Sequence, residues 1–159
     1  MALKAGNVHR FCTQFVLAML FFTALVSAQS KKGPAPAPAT FDDQAASQLL
    51  LQLTEALQGH SQKQFLGLFD LNKMRDGASF RQQIIAFYSH TESIRVHMTL
   101  NEITAEDEGT TLSVNAEMEI EPLNGGPSEH QNEIVTFTVV NSGGWKFIDV
   151  QPRSFFLLP

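Results

Sequence analysis

Between residues 110 and 121, apolar side chains fall at every second position. Leu112, Val114, Ala116, Met118 and Ile120 alternate with Thr111, Ser113, Asn115, Glu117, Glu119 and Glu121. A period of two over this length predicts a strand with one buried face and one wet face. Upstream, residues 93–105 follow the same rule through Ile94, Val96, Met98 and Leu100, and then Ile103 and Ala105 fall in the opposite phase. One extra residue, a bulge near Asn101-Glu102, restores the phase and bends the strand. Matching apolar partners across the Glu106-Asp107-Glu108-Gly109 turn sets Leu100 opposite Val114, Met98 opposite Ala116, Val96 opposite Met118 and Ile94 opposite Ile120. On the outer side this register brings Arg95 to Glu119 and His97 to Glu117, a pairing of opposite charges that was not used to choose it.

A third strand follows the loop Pro122-Leu123-Asn124-Gly125-Gly126-Pro127 and spans residues 129–141. Val135, Phe137 and Val139 form its apolar row, while Ile134 and Val140 on the other side point to partial cover of both faces. Asn141-Ser142-Gly143-Gly144 is a hairpin turn, residues 145–150 form a fourth strand, and Pro152 stops it. The terminal Phe155-Phe156-Leu157-Leu158 is either packed on the domain or an exposed contact patch.

Before the sheet the period changes to that of a helix. Thr40 is the expected N-cap of a first helix, Asp42 and Asp43 suit the positive end of its dipole, and Ala46, Leu49, Leu50, Leu53 and Leu57 make one stripe that Gly59 ends. Ser61 caps a short second helix, with Gln64 at the capping-box position and Phe65, Leu68 and Phe69 on its apolar side. A third helix runs over residues 77–89, with Phe80, Ile84, Phe87 and Tyr88 on one face. The expected class is α+β, with three N-terminal helices packed on a bent, four-stranded antiparallel sheet.

The chain has 159 residues, 43% of them hydrophobic and 17% charged, which suits one globular domain. Residues 1–28 read as a signal peptide. Lys4, His9 and Arg10 form its basic region, an apolar run of about a dozen residues follows, and Val26-Ser27-Ala28 is a cleavage site. An uncleaved anchor is the alternative, but roughly 20 apolar residues are needed to span a bilayer. Residues 29–40, with Gly-Pro-Ala-Pro-Ala-Pro-Ala, read as an extended spacer rather than a ligand for a proline-binding domain. Residues 41–159 are then the single folded domain.

Cleavage removes Lys4 and Arg10 and no acidic residue, so 9 basic side chains face 16 acidic ones and the net charge becomes −7. Such a balance, with Lys31-Lys32 the only adjacent basic pair, argues against nucleic acid as a partner. The sole cysteine, Cys12, leaves with the signal, so no disulfide can form. A domain of roughly 120 residues must then rely on its core, which can bury about two-thirds of the chain's surface. The expected location is exported, periplasmic or secreted, with no membrane association after cleavage. The absence of cysteines and glycosylation sequons points towards a bacterial source.

Three helices followed by a long bent sheet, closing on Gly144-Trp145-Lys146-Phe147-Ile148-Asp149, resemble the nuclear transport factor 2-like superfamily, the cone-shaped fold shared with steroid isomerase and scytalone dehydratase. The resemblance covers residues 41–151. A cystatin-like domain is the alternative, but it needs one helix and the Gln-x-Val-x-Gly loop is missing. What the superfamily implies is a conical pocket between the helices and the concave sheet face, which in different members serves enzymes, ligand carriers and noncatalytic subunits.

The expected pocket lining is Phe65, Phe69, Tyr88, Met98, Met118, Gln131, Glu133, Phe137, Trp145 and Phe147. Glu133 shares the inward phase of Val135 and could act as a general base at the rim of the cone. Asp149 is a second candidate, its facing set by whether the Ser142 to Gly144 turn has two or three residues. Tyr88 could aim its hydroxyl at a ligand, whereas His97 beside Glu117 lies outside by register. No metal site or cofactor is implied, because His60, His90, His97 and His130 are scattered and the Gly-Gly pairs sit in hairpin loops. The expectation is a noncatalytic domain that binds a small apolar ligand or a protein partner. The alternative is an isomerase- or dehydratase-type enzyme, and the outer sheet face is a candidate homodimer surface.

Overall fold

The computed structural model describes residues 40–157. The signal-peptide and spacer readings fall on residues 1–39, outside the described residues. Helix α1 is Asp43–Gln58, α2 is Gln62–Gly67 and α3 is Gly77–His90. Strands β1 (Thr91–Glu106), β2 (Gly109–Pro122), β3 (Glu129–Asn141) and β4 (Trp145–Gln151) follow, and a 3-10 turn, Arg153–Phe156, closes the described chain.

The cap of α1 is Asp42, not Thr40. Its carboxylate accepts from the backbone N–H of Ala45 at 2.9 Å, because the third N–H of a helix lies within reach of the residue at N-cap and Thr40 stands two positions too early. The whole stripe Ala46, Leu49, Leu50, Leu53 and Leu57 is buried, joined by Ala56. Ser61 does occupy the N-cap of α2, but its hydroxyl makes no capping bond. At the start of α3 the chain passes so close to Leu71 that a Cβ on Gly77 would lie 2.1 Å from the Leu71 carbonyl oxygen; only glycine fits there.

The sheet is antiparallel, curved and unclosed, in the order β1-β2-β3-β4. All six residue pairings anticipated between β1 and β2 are present, and the register shifts between Leu100 and Glu102 where the bulge is expected. Ile134 on β3 is 64% exposed, so the outer row is open there rather than covered. In β4, Asn141 pairs with Trp145 across a three-residue turn, and a second bulge follows: Val139 pairs with Phe147, but Thr138 pairs with Asp149. The extra residue, Ile148, keeps both Phe147 and Val150 buried and turns Asp149 to the opposite side.

The free edge of β4 is partly occupied by the loop after α2, where Asp70 N–H donates to Phe147 O at 2.9 Å and Phe147 N–H to Leu68 O at 3.0 Å. The Ser142 hydroxyl donates to Asp70 at 2.6 Å and holds that carboxyl below its usual range. The core is one cluster between helices and sheet. The question left by the terminal phenylalanines resolves inward: Phe155 and Phe156 are fully buried within it, and Leu157 is half-exposed.

Candidate functional site

The inner face of the sheet is a wall of Ile94, Val96, Leu112, Val114, Ala116, Met118, Ile120, Val135, Phe137 and Val139, all buried. Against it the expected pocket residues Phe65, Phe69, Phe137 and Phe147 come together as a chain of touching rings. Phe65 lies 5.1 Å from Phe69, Phe69 5.1 Å from Phe147, and Phe147 4.9 Å from Phe137. Phe80 joins Phe69 at 4.9 Å, and Phe156 enters from the C-terminal side against Phe65 at 5.3 Å. These side chains pack against one another between helices and sheet.

Of the other expected lining residues, Tyr88 and Met118 belong to the same core, and Met98 and Trp145 pack against it. Tyr88 is buried beside Phe65, but its hydroxyl donates to the Ala56 carbonyl at 3.1 Å; the group is tied to α1, and burial pushes its pKa up. Trp145 packs edge-on against Phe41 at 4.8 Å, at the far end of the sheet. Met118 is buried and Met98 partly so, both on the inner face by register.

Gln131 and Glu133 stand on the inner phase of β3, half-buried, and Glu129 shares their row. Gln131 donates its amide to Leu157 O at 3.2 Å. Glu129 and Glu133 each have a carboxylate oxygen closed to solvent with no hydrogen-bond partner among the described residues. Glu129 was not singled out from sequence, although the period-two phase through Val135 and Glu133 points to it. Asp149 stands with the outer row, where Arg153 approaches it at 3.3 Å and the Gln151 amide at 3.3 Å. The second bulge that puts it there carries no sequence signal, since Trp145, Phe147, Ile148 and Val150 are apolar in both phases.

On the outer face a shallow groove of about 850 Å³ crosses β1, β2 and β3. The outer-row Arg95, His97, Glu117, Glu119, His130 and Asn132 line it, and Gln58 of α1 and inner-row residues such as Met118 and Gln131 also contribute to its wall. Arg95 donates to Glu119 at 2.8 Å and to Glu121 at 3.1 Å. The bond from Arg95 holds the Glu119 carboxyl below its usual range, and Glu119 in turn raises the guanidinium. His130 reaches the other Glu119 oxygen at 3.8 Å, and the His97 ring nitrogen lies 3.3 Å from the Thr99 hydroxyl. Beyond this network stands exposed Ile134. Among the described residues no group of three or more His, Cys, Asp or Glu is arranged to hold a metal ion, and no helix is long and apolar enough to cross a membrane.

No protein-family model matches the sequence, and no curated protein does. Solved structures do. A nuclear transport factor 2-like superfamily protein from Salmonella enterica superposes with a TM-score of 0.58 at 8% identity, over 67% of this chain and 86% of its own. A protein from Novosphingobium aromaticivorans, provisionally named a scytalone dehydratase, gives 0.58 at 13% identity, over 67% and 79%. The chain has the nuclear transport factor 2-like fold. A type 2 hexachlorocyclohexane dehydrochlorinase also shares this fold, with a TM-score of 0.52 at 9% identity over 67% of this chain and 80% of that one. Enzymes therefore occur among its structural neighbours, and at these identities the likeness extends to the fold alone.

Proposed function

We propose that this chain is an exported, noncatalytic nuclear transport factor 2-like domain that binds a protein partner through the outer face of its sheet. One contrast carries the reading: the inner face is occupied by the chain's own aromatic rings, while the outer face offers a broad charged groove with an exposed isoleucine beside it. An apolar residue set within a polar rim is the usual composition of a protein contact surface. A groove this shallow suits a macromolecule better than a small molecule, which needs most of its surface enclosed.

Photocrosslinking in the cells that make the protein tests this. A photoreactive residue in place of Asn132, on the outer face, should yield a discrete adduct, and one in place of Gln82, on the exposed side of α3, should not. The mass of the adduct separates a foreign partner from a second copy of this chain. No adduct from position 132 would sink the proposal.

One observation favours a second reading, an isomerase- or dehydratase-type enzyme with Glu133 as its base: a carboxylate oxygen shut from water on the inner phase. Isomerisation or elimination of a carbonyl compound by the wild type, and not by Glu133→Gln, is the result that would establish it.

A further inference from the structure

Where the loop after α2 joins the edge of β4, an open cleft of about 480 Å³ lies between loop residues 69–72, Arg81 of α3, Ser142 of the hairpin turn and Lys146 of β4. It shares no lining residue with the outer-face groove. Its charge also runs against that of the chain, which has 16 acidic side chains to 11 basic ones. Arg95 and Arg153 are each tied to a carboxylate, whereas Arg81 and Lys146 make no ion pair among the described residues. The acid in the cleft, Asp70, is already engaged. It accepts from the Ser142 hydroxyl at 2.6 Å and faces the Lys73 ammonium at 4.0 Å.

The walls are fixed by contacts that owe nothing to a ligand. Backbone bonds between residues 68–70 and Phe147 stitch the loop to β4, and the Asp70 carbonyl accepts from the N–H groups of Lys73 at 3.0 Å and Met74 at 3.1 Å. The Lys146 ammonium donates to the Gly67 carbonyl, which holds it at the wall. Because Gly77 has no Cβ, α3 begins against Leu71, and this seats Arg81, one turn along, beside the loop. Groups positioned in advance lose little freedom when they bind.

We infer that this cleft binds a small phosphate monoester. The Arg81 guanidinium offers a planar fork for two oxygens, and Lys146 adds a point charge for a third. A phosphate monoester has three terminal oxygens and satisfies both cations at once. A carboxylate has two, which the fork alone occupies. The charge of Asp70 is offset by Lys73, and the Ser142 hydroxyl is committed to Asp70, so the two free cations dominate the field that a ligand meets. Leu71 and Phe69 supply the apolar part of the lining for a short carbon chain. The cleft is open to water, so binding weakens as salt rises.

The test is amide NMR of the full chain titrated with butyl phosphate, butyrate and butanol, which share a tail and differ in the head group. Butyl phosphate should shift the signals of residues 70–72 and 142–146 saturably, butyrate should bind more weakly, and butanol should not bind. Arg81→Gln should weaken butyl phosphate about tenfold, since it loses charge-assisted hydrogen bonds. Lys63→Gln, which removes an exposed cation on α2 outside the cleft, should leave the affinity unchanged. No saturable shift at these residues, or equal affinity in wild type and Arg81→Gln, would overturn the site. An equal loss in Lys63→Gln would reduce it to unspecific charge attraction and overturn it as well. Butyrate binding as tightly as butyl phosphate would overturn the ligand class. Should Arg81→Gln fail to fold, Lys146→Gln makes the same comparison with the same outcomes.

Discussion

On β2, Leu112, Val114, Ala116, Met118 and Ile120 are buried without exception, while Ser113, Asn115, Glu117, Glu119 and Glu121 on the other side of the same backbone stay in reach of water. The two faces share every backbone hydrogen bond, so what differs between them is side-chain chemistry alone. The inner row is continuous with touching phenylalanine rings and carries the stability of the domain. The outer row is a net of ion pairs whose contribution to folding is small, which leaves it free to be shaped by recognition.

Truncation should separate the faces most sharply. Phe137→Ala removes a fully buried ring from the centre of the inner wall and should cost about 3–5 kcal/mol. Ile134→Ala, three residues away on the outer face, should stay within about 0.5 kcal/mol. Urea unfolding measures both, and equal losses would abolish the distinction. The next effect belongs to a single polar group that does support the fold: Asp42→Ala should cost about 1 kcal/mol through loss of the α1 cap, and Thr40→Ala close to nothing. Tyr88→Phe should lose a comparable amount, about 0.5–1.5 kcal/mol, since its hydroxyl bond to Ala56 is buried.

The smallest effect is expected on the outer face. Arg95→Ala should leave the unfolding midpoint almost unchanged. Glu119 titrates below its usual range in the folded chain because Arg95 holds it, so its contribution is present above the unfolded carboxylate pKa of about 4.3 and is lost as pH falls through the lower folded value. An acid titration of stability should show a shallow loss in that window which Arg95→Ala removes.

Most of this architecture is legible in the sequence because one face is buried almost everywhere. The phase slip after Leu100 could be repaired only by an inserted residue, and the bulge is there. The β1–β2 register followed from apolar matching, since a one-residue slip would have turned the whole inner wall to water. Where the pattern is degenerate, the reading failed or stayed open. Thr40 and Asp42 both offer a capping oxygen, and only the helix start distinguishes them. Residues 145–150 are apolar in both phases, which hid the bulge at Ile148 and the outward turn of Asp149. The terminal phenylalanines have no periodicity, so nothing local says that they occupy the cone. The expected pocket gathered several of the right residues, but its contents come from the far end of the chain.

The division between an inner face packed with rings and an outer face in reach of water is tested most directly by xenon. In crystals of the wild-type protein under xenon pressure, anomalous scattering should reveal no xenon atom among Phe65, Phe80, Phe137 and Phe147, because Phe69 links these rings and Phe156 closes on Phe65 and Phe80. A well-occupied xenon site among those four rings would show a standing cavity in the cone and contradict that division.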